Sequence, residues 1–223
     1  MSAVASSISA ITQSAADACT DLLRREILSG DYDEGHAFVI DQIAARIGVS
    51  HTPVREAVRR LEAEGLLTFE ARRGARIRPM SPAEFEELFA IRKALEPIAL
   101  EKSITKAVAD SVWSVEFNFQ QWTKATGSSE MLKAQWSFFR AMYAMSGLVR
   151  TLEAIDNNWR LIERFHRHSW STSNAVRQKD YAMKKAILVG FLARDAKGAL
   201  QALDECIEWG ASLVRARLSD SAR

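Results

Sequence analysis

Apolar residues recur every three or four positions in the first third of the chain, with a break at each short polar stretch. Over residues 14–30 this spacing predicts a helix. A second helix is predicted over Asp41–Ile47, with its first residue as the N-cap. A third helix follows a short turn: Thr52 suits the N-cap, Pro53 suits the first helical position, and the segment extends to about Glu64.

The hydrophobic period changes after Gly65, where apolar and polar residues begin to alternate. Two such runs flank the sequence Ala-Arg-Arg-Gly, so we expect a β-hairpin whose tip contains Arg72, Arg73 and Gly74. Three helices followed by a hairpin is the order of a winged helix-turn-helix domain, which places its last helix in a DNA groove. This domain is predicted over residues 14–79.

From residue 83 onward the sequence shows no strand pattern, and helical stretches alternate with short breaks. The predicted helices cover residues 83–103, 106–125, 129–146, 148–169, 174–193 and 195–217. We therefore expect a mainly α protein, in which a winged helix-turn-helix precedes an all-helical domain, a six-helix antiparallel bundle over residues 80–223. Residues 1–13 are small and polar and are predicted to form a flexible tail.

The composition is that of an ordinary globular protein: of 223 residues, 48% are hydrophobic and 26% are charged. The first residues lack the basic and apolar regions of a secretory signal, and no apolar run is long enough to cross a membrane. We therefore expect a cytoplasmic protein without a membrane partner. Its two cysteines, Cys19 and Cys206, lack a metal-binding spacing and are expected to be reduced thiols.

The net charge of +2 says little about nucleic acid, but the basic residues of the N-terminal domain are clustered. All ten are arginines, and eight of them lie between Arg46 and Arg78. In the third helix, His51, Arg55 and Arg59 are four residues apart and share one face, while apolar residues occupy another. A stripe of donors that begins at a helix N-terminus suits the major groove, where arginine can bind a guanine edge with two hydrogen bonds.

The hairpin tip supplies a second basic element, since its arginines suit the minor groove or the phosphates. Glu56 lies off the arginine stripe and is expected to pair with a neighbouring arginine. The alternative is a solvated helix and a charged hairpin without a nucleic-acid role, but the two elements occur together in the order of the fold. The predicted DNA-contacting residues are Ser50, His51, Thr52, Arg55, Arg59, Arg72, Arg73 and Gly74.

Residues 48–77, GVSHTPVREAVRRLEAEGLLTFEARRGARI, resemble the DNA-binding signature of the GntR family of bacterial transcription regulators. The segments ILSGDYDEG and DQIAARIG before them fit the same pattern. The chain departs from it at His51, where the family usually has an arginine that often touches a base. The resemblance therefore leaves the operator sequence open, and a histidine can also make a contact that depends on pH.

The helical domain resembles the FCD type of effector domain, found in the FadR branch of that family. The resemblance lies in IRKALEPIAL (91–100), WSFFRAMYAMSG (136–147) and AILVGFLARDAKGALQAL (186–203). Six helices rather than seven suggest the shorter VanR-like subgroup. The resemblance implies a central cavity that binds a small-molecule effector.

Many FCD domains hold a divalent metal with one aspartate and three histidines. By the spacing of the motif, those positions carry Gln135, Phe139, Lys184 and Cys206 in this chain. Because phenylalanine cannot ligate a metal and an ammonium group repels a cation, we predict no metal and no other cofactor. His166 and His168 are two residues apart, on different faces of a predicted helix, and do not replace the missing ligands.

The resemblance, combined with these departures, favours direct binding of an anion such as a carboxylate. Arg92 matches a family arginine that points toward a carboxylate, Lys184 stands where the metal usually lies, and Arg160 could face the cavity. Two alternatives stay open: Arg92 could pair with Glu96 one turn away, and Lys184 could be solvated. The predicted effector-binding residues are Arg92, Gln135, Phe139, Arg160, Lys184 and Cys206, among which the phenylalanine makes the pocket more apolar.

The predicted function is that of a DNA-binding transcription regulator, by default a repressor, which acts as a homodimer on a near-palindromic operator. Binding of the effector would change the spacing of the two recognition helices. In one alternative the helical domain only dimerises. An enzyme with a DNA-binding appendage is disfavoured, because the sequence shows no nucleophile–base pair, no P-loop and no GxGxxG motif.

Overall fold

The computed structural model describes residues 2–29, 32, 35–70, 74–79, 81–107, 109–169 and 173–221. The chain divides into two compact units, Met1–Met80 and Ser81–Arg223. The domain boundary predicted from the sequence lies one residue from this division.

Helices and strands of the N-terminal unit follow the order that the hydrophobic pattern predicts. They are α1 (Ser2–Ser29), β1 (Ala37–Phe38), α2 (Ile40–Ile47), α3 (His51–Ala63), β2 (Leu67–Glu70) and β3 (Gly74–Ile77). The strands form one antiparallel sheet in the order β1-β3-β2, in which Ala75 lies opposite both Phe38 and Phe69. The hairpin of β2 and β3 is the predicted wing, and β1 adds a short strand that the alternation did not predict.

One face of α3 forms the centre of this unit's core. Val54, Ala57 and Leu61 of this helix are fully buried. Ala75 of β3 is also fully buried, and the side chain of Leu23 in α1 is only 1% exposed. Their spacing of three and four residues places the α3 side chains on one side of the helix. Burial of each leucine contributes about 1.5–3 kcal/mol, so this packing fixes which side of α3 faces solvent.

The prediction that residues 1–13 form a flexible tail is wrong for the conformation of the described residues. Helix α1 begins at Ser2, so the described residues before position 14 belong to the helix. That segment contains three alanines and neither glycine nor proline. Because alanine has the highest intrinsic helix propensity, the segment can extend a helix without any amphipathic pattern of its own.

The starts of α2 and α3 also differ from the prediction. Val39 is the N-cap of α2, so Asp41 lies in the first helical turn, where its charge favours the helix dipole. Ser50 is the N-cap of α3, so Thr52 lies inside the helix. Pro53 then occupies the third helical position, which proline tolerates because the first-turn N–H groups have no intrahelical acceptor.

In its described residues, the C-terminal unit consists of six helices whose bounds agree with the predicted ones to within a few residues. They are α4 (Pro82–Lys106), α5 (Ala109–Lys124), α6 (Ser128–Ala144), α7 (Val149–Ser169), α8 (Asn174–Leu192) and α9 (Ala196–Ser221). Helix α9 packs against α4, α7 and α8, and α5 packs against α6. The predicted mainly α fold class is confirmed.

The core of the helical unit is rich in aromatic side chains, among them the fully buried Phe85, Phe138 and Tyr143. Helices α8 and α9 pack closely at Gly190, where a Cβ atom would lie 2.8 Å from the backbone nitrogen of Ala199. Such a distance is far below van der Waals contact, so only glycine allows these two helices to pack at this separation.

Both cysteines are free thiols in the interior of their units, Cys19 in the first and Cys206 in the second. Burial raises the pKa of both thiols above the ordinary value, so they stay protonated at neutral pH. Among the described residues, no helix is long and apolar enough to cross a membrane.

Candidate nucleic-acid interface and ligand cavity

The outer face of α3 presents a line of polar side chains to solvent. His51, Arg55 and Arg59 follow one another at intervals of four residues, and each is exposed. Ser50 and Thr52 at the N-terminal end of the helix are exposed as well. Because the opposite face is anchored in the core, the packing of α3 also directs these side chains outward.

Five arginines of this unit fall into two groups. Three are bound to acidic side chains of the same unit: Arg24 to Glu64 at 2.7 Å, Arg46 to Glu26 at 2.6 Å and Arg60 to Asp17 at 2.5 Å. Glu56 lies 3.4 Å from Arg60, as predicted for a neighbouring arginine. Arg55 and Arg59 have no acidic partner among the residues that the structure describes. Their charges are therefore available to an external anion.

His51 lies at the junction of the two helices of the helix-turn-helix. Its Nε2 atom is 3.3 Å from Oδ1 of Asp41, in the first turn of α2, and both side chains are mostly exposed. A histidine offers at most two donors, whereas arginine offers five in a fixed fork. The hydrogen bonds that this position can offer therefore differ from those of an arginine in the same place.

The wing is described on both sides of its tip. Gly74 begins β3 with a φ of +76°, and a Cβ atom there would meet a backbone carbonyl oxygen at 3.1 Å, so this position favours glycine. Arg72 and Arg73 lie outside the described residues. Arg76 donates to the backbone carbonyl of Gly35 at 3.1 Å, so this wing arginine holds the segment before β1.

A small cavity of about 20 Å³ lies between α4, α6, α8 and α9 of the helical unit. Its walls include five of the six residues predicted to bind an effector, namely Arg92, Gln135, Phe139, Lys184 and Cys206. The remaining walls come from Val176, Asp180, Trp209, Gly210 and Leu213. Residues from four helices, singled out by the family's motif spacing, thus meet at one place.

Arg160 is not part of this cavity, so that prediction is wrong. Its side chain is exposed, and its guanidinium group donates to the side-chain oxygen of Asn157. Helix α7 instead turns Ile155, Trp159 and Ile162 inward. A residue one position after Trp159 lies about 100° further round the helix, which directs it to solvent.

Arg92 forms a buried ion pair with Glu96, through an Nε–Oε1 contact of 2.7 Å and an Nη2–Oε2 contact of 3.2 Å. Glu96 also accepts hydrogen bonds from Tyr143 Oη at 2.8 Å and from Trp159 Nε1 at 2.9 Å. The guanidinium carbon lies 4.4 Å from the centre of the Trp159 ring. Burial, together with the charge of Glu96, raises the pKa of Tyr143 well above its ordinary value, so the phenol remains a donor.

Lys184 is only 1% exposed, so the alternative of a solvated lysine is wrong. Its ammonium group donates to Oδ1 of Asp180, one turn earlier on α8, and lies 4.7 Å from the centre of the Trp122 ring. Both cations of the cavity therefore have a carboxylate of their own. The expectation of an anionic ligand rested on these two cations, and their pairing removes its main support.

The donor set of this cavity does not fit the divalent metal that the FCD resemblance implies. Phe139 carries no ligand atom, Lys184 contributes a buried ammonium group, and the thiol of Cys206 is protonated. In the part of the chain that the structure describes, no three His, Cys, Asp or Glu side chains come together as a metal site would require.

Three residues of the cavity wall keep a buried polar atom without a hydrogen-bond partner: Gln135 Oε1, Asp180 Oδ2 and Trp209 Nε1. An unpaired buried polar atom costs about 1–3 kcal/mol, so such a cluster indicates where a ligand or a water molecule binds. Sequence reasoning missed Asp180 and Trp209. Each lies one helical turn from a predicted residue, Lys184 and Cys206 respectively, and this spacing was the available signal.

An open groove of about 340 Å³ adjoins the cavity and shares Asp180 with it. Trp122 and Tyr181 line it, with their rings stacked at a centroid distance of 6.3 Å. The other lining residues are Thr123, Met131, Asn174, Arg177 and Gln178. Small-molecule sites span about 300–1,000 Å³, so the groove has room for a small ligand whereas the cavity alone does not.

Two family models match this chain: that of bacterial regulatory proteins of the gntR family over residues 15–77, and that of the FCD domain over residues 87–208. Among solved structures, E. coli McbR/YncC has a similar fold, with a TM-score of 0.79 at 18% identity. That similarity covers 92% of this chain and 98% of the other.

Curated relatives are similar over part or most of the chain. The uncharacterised HTH-type transcriptional regulator YdhC of Bacillus subtilis is 30% identical over 128 residues, 56% of this chain and 57% of that protein. The chain thus spans little more than half the length of that relative. The uncharacterised HTH-type transcriptional regulator BphR of Paraburkholderia xenovorans is 28% identical over 206 residues, 86% of this chain and 82% of that protein.

Proposed function

From the premise that this chain belongs to the gntR family of bacterial regulatory proteins and carries an FCD domain, we propose that it is a sequence-specific transcription regulator. It binds operator DNA through α3 and the wing, and a small molecule bound in the helical unit changes this affinity. The protein acts in the cytoplasm as a homodimer, by default as a repressor, and has no catalytic role.

The observation that carries the DNA-binding half is the division of the arginines of the first unit. Arg55 and Arg59 are exposed on the face of α3 that the core leaves free, and no acidic side chain of the described residues neutralises them. Arg60, next to them in sequence, is held by Asp17. An arginine without a counter-charge can bind a guanine edge or a phosphate at little cost to the free protein.

A homodimer follows from the small surface of one winged domain. Single DNA-binding modules bury about 600–1,000 Å², which rarely gives specific binding alone. Two copies of α3 would read half-sites centred about 34–36 Å apart, so the operator is expected to be a near-palindrome.

The effector half is supported by the unpaired polar atoms of the cavity and by the groove beside it. A ligand that binds one packing of the helical unit better than another shifts the population of the dimer. We expect a coupling of about 1–3 kcal/mol between effector and operator.

A regulator whose helical unit only dimerises is the second candidate. The observation that favours it is the size of the cavity, since about 20 Å³ holds one water molecule. A ligand that binds the folded protein raises its melting temperature, whereas a pure dimerisation domain shows no such shift with any small molecule.

The test of DNA recognition compares two arginines of one helix. Footprinting upstream of the protein's own gene defines an operator, and its affinity is measured for the wild type, Arg55→Ala and Arg60→Ala. We expect Arg55→Ala to weaken specific binding by about 1–3 kcal/mol and to relax base preference at one position.

Arg60→Ala is the matched control, because it removes the same charge from the same helix. Its guanidinium group is already bound to Asp17, so we expect operator affinity to stay close to that of the wild type. An equal loss of operator affinity in both variants would show that Arg55 contributes only its positive charge and no specific contact. No loss in either would remove α3 from operator recognition.

A further inference from the structure

We propose that the effector carries no net charge and binds through a head group that both donates and accepts hydrogen bonds, such as a primary carboxamide. This inference rests on the function proposed above and narrows the chemistry of its ligand. It differs from the simple carboxylate that the sequence favoured. The arrangement of charges and of unpaired atoms around the cavity leads to it.

The cavity has no charge to offer. Arg92 is bound to Glu96, and Lys184 is bound to Asp180, in each case on the same helix. Cys206 adds no negative charge, because burial raises the pKa of its thiol. A ligand with a net charge would therefore introduce a buried charge without a counter-ion, which is strongly unfavourable in a low-dielectric interior.

The unpaired atoms define the hydrogen bonds that a ligand must make. Asp180 Oδ2 can only accept, so it requires a donor, and Trp209 Nε1 can only donate, so it requires an acceptor. The amide of Gln135 can serve either way, because its two ends exchange by a simple turn of the group. The head group must therefore carry at least one N–H or O–H and one acceptor atom.

Simple ions meet only half of this requirement. A carboxylate has no donor for Asp180 and would bring a like charge to it, while an ammonium group has no acceptor for Trp209. A primary carboxamide supplies two N–H donors and one carbonyl acceptor without a net charge. Gln135 and Asp180 are 4% and 6% exposed, so bulk water does not satisfy their atoms in place of the ligand.

One water molecule has the volume of the cavity and the same ability to donate and accept. A ligand replaces such a water without loss only when its head group reproduces the hydrogen bonds of that water. This condition again selects a neutral head group with both donor and acceptor.

The adjoining groove suits the body of the ligand. It shares Asp180 with the cavity, so a head group at this carboxylate can continue into it. Trp122 and Tyr181 contribute aromatic rings to its walls, and Met131 contributes a flexible apolar side chain. Aromatic rings stack favourably on such walls, so we expect an aromatic or similarly flat apolar body.

The test uses the full-length protein and three probes that share a phenyl ring: phenylacetamide, phenylacetate and 2-phenylethylamine. Binding is measured by the shift in melting temperature and by tryptophan fluorescence, to which Trp122 and Trp209 contribute. We expect the amide to bind on the order of tenfold to a hundredfold more tightly than either ion. A carboxylate that binds as tightly as the amide, or no binding by any probe up to its solubility limit, overturns the proposal.

Two variants shift the charge of the cavity in opposite directions. Asp180→Asn leaves Lys184 without its carboxylate, so the preference should move toward phenylacetate. Lys184→Gln leaves Asp180 without its cation, so the preference should move toward 2-phenylethylamine. Glu153→Gln, which alters an exposed ion pair on α7, is the control and should keep the preference for the amide.

Unchanged preferences in both cavity variants overturn the charge argument. Where a variant fails to fold, as judged by its melting curve, the probe series on the wild-type protein decides alone. A failure of the proposed function looks different, because operator binding is measured without ligand. If the amide binds but leaves operator affinity unchanged, the ligand chemistry is upheld and the role of the amide as effector is refuted. If a carboxylate changes operator affinity, regulation by a small molecule is upheld and the neutral ligand is refuted.

Discussion

The two units hold the cationic side chains of their candidate sites in opposite environments. In the N-terminal unit, Arg55 and Arg59 are exposed and, among the described residues, have no acidic partner. In the helical unit, Arg92 and Lys184 are buried, and each is bound to a carboxylate one turn away on its own helix. These cationic side chains are therefore available to a ligand in the first unit and already neutralised in the second.

This difference indicates how each unit can recognise a ligand. Water solvates an exposed cation in the free protein, and a polyanion such as DNA gains from it on binding. A buried cation must be neutralised as the chain folds, so its charge contributes to packing and is no longer available to a ligand. Under the proposed function, recognition in the helical unit then depends on the polar atoms that packing leaves unpaired.

Removing Glu96 should have the largest effect on stability. Glu96→Ala leaves the buried Arg92 without its counter-charge, and it deprives Tyr143 and Trp159 of their common acceptor. Loss of one partner of a buried pair costs about 3–5 kcal/mol. The measurement is urea unfolding followed by tryptophan fluorescence, which reports on the helical unit because all six tryptophans lie in it.

Two further variants decide whether burial is the cause. Glu153→Ala breaks a pair with Arg150, which is 93% exposed, and should cost less than about 1 kcal/mol. The double variant Arg92→Met/Glu96→Leu removes both charges and should recover the part of the loss that comes from the unpaired charge of Arg92, while Tyr143 and Trp159 still lack their acceptor. A loss at Glu96 no larger than that at Glu153 would contradict the distinction between the two classes of cation.

Much of the fold could be predicted because apolar spacing records which face of each helix is buried. The positions of Val54, Ala57 and Leu61 alone fix the inner face of α3. The N-terminal end of α1 escaped prediction because intrinsic propensity, without an apolar stripe, extends that helix. The starts of α2 and α3 escaped it because neither Val39 nor Ser50 makes a side-chain capping bond, so capping preferences carried no information there.

The positions of the cavity residues could be predicted from motif spacing, but their partners could not. Glu96 and Asp180 are visible in the sequence one turn from Arg92 and Lys184. Whether such a pair is solvated or buried depends on how four helices pack, which local spacing does not record. The exposure of Arg160 could not be predicted for a similar reason. A shift of one residue along α7 moves a side chain from the interior to the surface, and motif spacing does not fix this position so closely.

Tyr143→Phe should have a smaller effect that depends on pH. At neutral pH the variant loses one hydrogen bond to the charged Glu96, which costs about 1.5–3 kcal/mol. Burial, with the charge of Glu96, raises the pKa of Tyr143 in the folded protein, so the unfolded chain releases this proton at a lower pH than the folded one. The stability linked to the phenol is complete below the ordinary tyrosine pKa of about 10 and is lost as the pH rises further.

The wild type should therefore lose its advantage over Tyr143→Phe above about pH 10. Urea unfolding of both proteins across neutral and alkaline pH measures the difference in free energy directly. Two curves that stay parallel through this range would show that the phenol titrates as it does in water, and so would argue against the closed environment of the Arg92 pair.

The smallest effect is expected at an ion pair on the surface of the helical unit. Arg215 holds Glu86 through contacts of 2.6 Å and 2.8 Å, and the two side chains are 40% and 52% exposed. The hydrogen bond from Arg215 lowers the pKa of Glu86. The stability that this pair contributes is therefore present above the ordinary glutamate pKa and is lost as the pH falls through the lowered value.

Because water screens the pair, Glu86→Gln should cost less than about 1 kcal/mol at neutral pH. The difference from the wild type should also shrink in acid and in about 1 M salt. A loss as large as that of Glu96→Ala would show that geometry rather than burial sets the strength of these pairs, and the contrast between exposed and buried cations would no longer hold.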